Sequence, residues 1–266
     1  MASSGSGYDL SSSTFSPDGR IFQVEYASKA VENAGTALGL RCSDGVVLCV
    51  EKPLLNKMLL PETNSRRVHT VGAHSGVAVT GFVSDGRQIV NRAREEASNY
   101  LETYGSSVPP QVLADRISTY MHYFTLHGAL RPFGASALVA AYDADEKTHA
   151  LYMVEPSGVS HRYFACAAGK GRQPARTELE KLSAQIKEDS ITCREGAKQL
   201  ARIIHVLHDS AKDKPFELEM SWICEESKWS HKGVPRTVIA ESVAWAKQAI
   251  ADAEEEDEED DDEMEE

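Results

Sequence analysis

Four stacked layers, with helices outside and two antiparallel β-sheets inside, form the α+β fold that this sequence predicts. Three observations lead to it. The apolar periodicity switches between a helical repeat and a two-residue repeat. Strand-like runs come in clusters joined by turn signals, the chemistry of antiparallel hairpins. Helices arrive in pairs between those clusters, whereas a doubly wound parallel sheet would place one after every strand.

Taken in order, residues 1–14 are rich in Ser and Gly, with Tyr8 and Leu10 as the main apolar groups. That composition buries too little surface to order itself, so a mobile tail is expected over 1–14. Ser16-Pro17-Asp18-Gly19 has turn chemistry, and Phe22, Tyr26, Ala27, Ala30, Val31 and Ala34 then follow at helical spacing. A helix over about 20–33 results, ended near Gly35. TALGLRC and GVVLCVE flank Ser43-Asp44-Gly45 as a first hairpin. Arg67 to Val71 and Gly76 to Phe82 make a second.

Asp85 to Gln88 has the spacing of a capping box opening a long helix, with Ile89, Ala93, Ala97, Tyr100 and Tyr104 as its buried face. Pro109-Pro110 opens the next helix, Ile117, Met121 and Phe124 supply its stripe, and Gly128 ends it. The strand-like runs SALVAAYD, HALYMVE and GVSHRYFA follow, then helices near 175–186 and 193–210, a strand over 216–223 and a helix over about 237–251. One domain over 15–252 accounts for all of these, and an acidic run expected to be solvated and disordered occupies 253–266.

The chain has 266 residues, 41% hydrophobic and 26% charged, which is ordinary globular composition. Its formal charge of −13 is concentrated: residues 254–266 hold 12 of the 41 acids, leaving 28 basic and 29 acidic groups in residues 1–253. A near-neutral body with an acidic tail argues against nucleic-acid binding, which needs a basic face. The start, MASSGSGYDL, has no basic-then-apolar leader pattern, and no apolar run approaches the roughly 18 residues of a membrane span. Five dispersed cysteines without a Cys-x-x-Cys pair signal reduced thiols, neither a disulfide framework nor a zinc site.

Other constellations have ordinary readings. Gly169-Lys170-Gly171 lacks Walker spacing and reads as a tight turn. His205 and His208 share a helix face without a partner cluster and read as packing residues. No Gly-x-Ser-x-Gly elbow occurs. No metal and no cofactor is expected.

Phe15-Ser16-Pro17-Asp18-Gly19-Arg20, followed by Gln23-Val24-Glu25-Tyr26-Ala27, resembles the amino-terminal signature of proteasome α-type subunits. The similarity continues through Gly35 to Gly39, Arg94 to Ser98, Arg131 to Gly134 and Glu217 to Trp222, covering about residues 8–250. The resemblance implies an Ntn-hydrolase-like sandwich of two antiparallel sheets flanked by helix pairs. It also implies residence in cytoplasm and nucleus.

The related β subunits are threonine peptidases, and Gly35-Thr36 resembles their cleavage junction. Those enzymes carry Gly, Asp and Lys ten, sixteen and thirty-two residues after the nucleophile. Counting from Gly35 gives Gly45, Glu51 and Arg67, with Gly in the nucleophile's place; counting from Thr36 gives Val46, Lys52 and Val68. Neither register assembles a site, and guanidinium does not deprotonate at working pH. No catalytic residue is expected. The alternative is an amino-terminal threonine peptidase released by cleavage before Thr36, and a third reading is a free, acidic-tailed binding module for basic proteins.

The resemblance further implies a seven-membered ring of α subunits docked on a β ring, whose amino termini close an axial pore. Matched position by position, the family's gate residues are Tyr8, Asp9, Pro17 and Tyr26. The family's Tyr-Asp-Arg reads Tyr8-Asp9-Leu10, so the ion pair of that Arg is missing. Arg67 matches the basic residue, usually Lys, of the inter-subunit pocket where regulatory ATPases and other activators insert their carboxyl termini, and Gly81 matches the pocket glycine.

Overall fold

The computed structural model describes residues 7–56, 58–59, 66–209 and 213–265, and beyond Ala253 it describes the side chain of Glu255 alone. The first six residues of the expected tail and Glu266 lie outside the described residues. The first helix, α1, spans Phe22–Glu32. β1 (Ala37–Cys42) and β2 (Gly45–Pro53) pair in register from Ala37↔Val50 to Cys42↔Gly45, so the hairpin turns on Ser43 and Asp44 alone. β2 is almost wholly buried because both its faces are covered.

β3 (Val68–Gly72) and β4 (Ser75–Gly81) form the second hairpin, followed by α2 (Val83–Tyr104) and α3 (Pro110–Leu126). β5 (Ala135–Asp143), β6 (Thr148–Val154) and β7 (Ser160–Tyr163) extend that sheet. The third predicted strand run does not stay in one sheet. It breaks at Phe164, and β8 (Ala165–Ala168) crosses to pair with β1. α4 (Arg172–Lys181) and α5 (Ser183–Lys187) divide what periodicity reads as one helix. α6 (Cys193–Leu207), β9 (Phe216–Cys224), the two-residue β10 (Lys232–Gly233) and α7 (Arg236–Glu265) complete the chain.

The sheets run β10-β9-β2-β1-β8 and β3-β4-β5-β6-β7, with every pairing antiparallel. Three buried clusters separate four layers. Leu38, Leu40 and Val47 of the first sheet pack under Leu200, Ile203 and Ile204 of α6. Leu138, Leu151, Leu48 and Ile223 fill the space between the sheets. Val77, Val79 and Val139 pack against Ile89, Leu113, Ile117 and Met121 of α2 and α3. Each sheet therefore buries both faces, as the four-layer reading requires.

Three helix expectations are corrected. α2 starts at Val83 after Phe82, which makes no side-chain cap, so Asp85 is not its N-cap; Asp85 lies buried in the first turn and bonds elsewhere. Tyr104, expected on the buried face, is exposed and packs on Tyr100 with the rings tilted and their centroids 4.4 Å apart. α7 also runs through the acidic stretch to Glu265, past the predicted end near 251. Glu is a good helix former and the run holds neither Gly nor Pro.

Candidate functional site

The amino-terminal segment is tied down at several points. Ser12 is buried, its hydroxyl 2.9 Å from the carbonyls of both His127 and Leu130 at the end of α3. Gln23 Nε2 donates to the Asp9 carbonyl, and Tyr26 Oη donates to Asp9 Oδ2 at 3.2 Å. The expectation of a free tail over all of 1–14 therefore gives way, from Asp9 onward, to a segment held by α1 and α3. Sequence reading missed Ser12, because its partners are carbonyls more than a hundred residues away.

The turn after it is closed by Gly19 N to Ser16 O at 2.9 Å and Ser16 N to Arg20 O at 2.9 Å. Pro17 occupies the second turn position, where its fixed φ fits, and stays exposed. Arg20 then chelates Glu25 in the first turn of α1, which raises the guanidinium's pKa and lowers the carboxyl's. Of the four gate candidates, Asp9 and Tyr26 meet within this chain, while Tyr8 and Pro17 stand exposed.

Arg67 and Gly81 do come together. Arg67 Nη1 donates to Gly81 O at 2.9 Å, and its amide donates to Glu219 Oε2 at 2.8 Å. Burial lowers the pKa of the Arg67 guanidinium, with Glu219 opposing. Gly81 needs its lack of a side chain: φ is +118°, and a Cβ there would stand 2.2 Å from Gly134 O. Both residues line a cleft of about 430 Å³ bounded by Ala30, Asn33 and Ala34 at the end of α1, Leu54 and Leu55 after β2, and Phe82. Lys52 and Glu217 pair at 2.8 Å in its wall.

Gly35 borders the same cleft, with Arg67 from the register counted from Gly35 and Lys52 from the register counted from Thr36. Glu51 Oε2 accepts from the Thr36 amide at 3.0 Å, and Glu51 Oε1 lies 3.4 Å from His208 Nδ1. The Thr36 hydroxyl is buried and accepts from Gly171 N at 3.2 Å. An amino-terminal nucleophile needs a free amine beside an accessible hydroxyl. Thr36 has a peptide amide spent on Glu51 and a hydroxyl spent on the β8–α4 turn.

The remaining sequence candidates settle in structural roles. Gly169-Lys170-Gly171 is the turn from β8 to α4, with Lys170 N donating to Ala34 O at 2.8 Å. His205 and His208 both pack on Phe216, at 5.2 and 4.4 Å. Among the described residues no cluster of His, Cys, Asp and Glu is disposed to hold a metal ion. No helix among them is long and apolar enough to cross a membrane.

Residues 31–223 match the family model described as proteasome subunit, and residues 8–30 match the N-terminal signature of the A-type proteasome subunits. The chain belongs to the α-type proteasome subunits. It is 56% identical over 252 residues to an alpha type-3 proteasome subunit of Spinacia oleracea, covering 95% of this chain and 98% of that one. It is 53% identical to the alpha type-3 subunit of Arabidopsis thaliana over 95% of this chain and 98% of that one. A probable alpha type-7 subunit of Saccharomyces cerevisiae is 45% identical over 94% of this chain and 86% of that one.

The α signature covers the tail, the turn and α1, the segment that an amino-terminal threonine peptidase would have to remove. It points away from the catalytic β-type alternative. The α-type subunit instead keeps α1 as a wall of the cleft beside Gly35, with Val31 reaching into the core between the sheets.

Proposed function

We propose that this subunit is a structural, non-catalytic member of the outer ring of the proteasome core particle. In that reading it stands with other α subunits in a seven-membered ring, docks on β-ring subunits, helps to gate substrate passage and serves ubiquitin-dependent protein degradation in cytoplasm and nucleus. The observation that carries the reading is the fate of Thr36: its nitrogen is a bonded amide and its hydroxyl is buried.

The gate role rests on Tyr8, Asp9, Pro17 and Tyr26. Asp9 and Tyr26 set the direction of the tail, and the exposed Tyr8 and Pro17 are available to a neighbouring subunit. The docking role rests on Arg67. Among the described residues its guanidinium spends one N–H on Gly81 O, which leaves donors in the cleft for a terminal carboxylate from a regulatory ATPase or another activator. Arg67→Ala in the assembled particle is expected to weaken activator-stimulated peptide hydrolysis while leaving unstimulated hydrolysis unchanged. Unchanged activator affinity contradicts the docking role.

A further inference from the structure

We propose that Cys193 and Cys224 form a redox pair, a modification site at which a hydroperoxide converts two buried thiols into a disulfide joining the start of α6 to the end of β9. Three of the five cysteines gather at one corner of the molecule. Cys42 ends β1, Cys224 ends β9, and both pair with Gly45 of β2. Residues paired across a ladder point to the same face, and here that face is the one under the helices, where both cysteines join Cys193 in the outer core.

One strand, β2, lies between Cys42 and Cys224, and the two inter-strand spacings put them roughly 10 Å apart, beyond the Cα span of about 7 Å that a disulfide tolerates. Cys193, the first residue of α6, fills the gap and interacts with both thiols. Its position is fixed. Cys193 N donates to Asp44 Oδ1 at 2.6 Å, and Ser43 N donates to Ile191 O at 2.9 Å. Gly196, one turn on, lets α6 come this near, since a Cβ there would stand 2.7 Å from Cys42 Sγ.

The two possible partners of Cys193 differ. The Cys42 thiol donates to Leu40 O at 3.9 Å. Cys224 begins a tight turn, closed by Trp229 N to Cys224 O at 2.9 Å and Cys224 N to Ser227 Oγ at 3.0 Å. The Cys193 thiol above all, and then the amides of Ser227 and Glu226, favour the Cys224 thiolate against the burial that opposes it, while the Ser227 hydroxyl donates to the Cys224 carbonyl at 3.0 Å. That makes Cys224 the nucleophile and Cys193 the resolving thiol. Burial dominates at the other two cysteines inside the sheets: it holds Cys49, with Glu51 nearby, and Cys166, against a single opposing bond from the Gly39 backbone, as thiols.

Both thiols are buried, but exposed residues adjoin them: Glu225 and Glu226 follow Cys224 directly, and the exposed Ser43 is bonded to Ile191, two residues before Cys193. The Cys224 thiolate attacks one oxygen of hydrogen peroxide; the O–O bond breaks, hydroxide leaves and takes a proton to become water, and a sulfenic acid remains. The Cys193 sulfur then attacks the Cys224 sulfur, the S–O bond breaks and a second water leaves with the Cys193 proton. Two thiols and one peroxide give one disulfide and two waters.

The test is peptide mapping by mass spectrometry, without reductant, of this subunit from the assembled particle before and after hydrogen peroxide. The expected result is a Cys193–Cys224 linked peptide and the loss of two hydrogens from the subunit's mass, both reversed by a thiol reductant. In Cys193→Ala, a 1,3-diketone is expected to trap the Cys224 sulfenic acid. A link from Cys193 to Cys42, oxidation confined to Cys49 and Cys166, or no linked peptide in the native particle at a dose that oxidises other thiols overturns the proposal.

Discussion

The Asp85 carboxylate grips Arg131 with both oxygens, at 2.6 and 2.9 Å, and accepts the Gly134 amide at 2.9 Å. Its Arg131 bond above all holds the carboxyl below the usual range. This contact explains why an Arg-Pro-Phe-Gly stretch follows α3: it hangs the strand after α3 from the first turn of α2. Asp85→Asn keeps an acceptor but turns an amide toward the guanidinium, and is expected to cost about 1–3 kcal/mol, read as a lower thermal midpoint of the full chain. The sequence showed Asp85 as a cap because local spacing carries no information about a partner 46 residues away.

His231 clips the two sheets together, with Nδ1 2.8 Å from Thr70 Oγ1 on β3 and Nε2 2.9 Å from Ser221 Oγ on β9. Burial, then neighbouring His69, pushes its pKa down to about 4. The unfolded chain therefore takes up this proton first, near pH 6.5. Stability from His231 is full above that pH and is lost as pH falls toward 4, by on the order of 3 kcal/mol. His231→Gln is expected to flatten that part of the pH–stability curve in denaturant titrations; an unchanged slope places the acid sensitivity elsewhere.

Among the elements, α7 holds two opposed tendencies. Its first part is anchored, with Val238 and Ala246 buried against the outer core and Ile239 and Trp245 packed beside them, while Ala251 and Ala253 are exposed. Beyond Ala253 come 12 acids without a base, at the helix end where the macrodipole is already negative, and like charges at i, i+4 repel. Glu propensity favours helix there and charge opposes it, so salt decides. Hydrogen exchange over 254–265 is expected to be fast at low ionic strength and slower near 1 M salt, where screening is nearly complete, with 236–253 unaffected. Salt-independent exchange over 254–265 contradicts this balance. The same competition explains why composition reads as disorder what the backbone traces as helix.

Element type was legible wherever the period was strong, as in β1, β2, α3 and α6, and lost where tertiary context decides. The split between β7 and β8 at Phe164 depends on which sheet edge is nearer, with Arg41 N donating to Phe164 O at 2.8 Å. β10 is two residues long and has no period to read.

At the scale of the whole molecule, three buried layers close against one another, with Val31 of α1 in the middle one, and leave the cleft beside Gly35 and the segment ahead of α1 as the parts not explained by packing. In the sequence, Arg67 and Gly81 stood out only through the family resemblance. Their meeting across the β3–β4 hairpin and the roles of Ser12, Glu51 and His208 needed the fold, because each depends on contacts between distant strands and helices. The central claim is that this chain keeps its amino-terminal segment and works as a ring subunit without a nucleophile of its own. Native mass spectrometry of the particle from its own cells, dissociated to give subunit masses, tests it most directly. The account predicts a large multi-subunit particle in which this chain is not cut before Thr36; a chain beginning at Thr36, or a lone monomer of about 29.1 kDa, would contradict it.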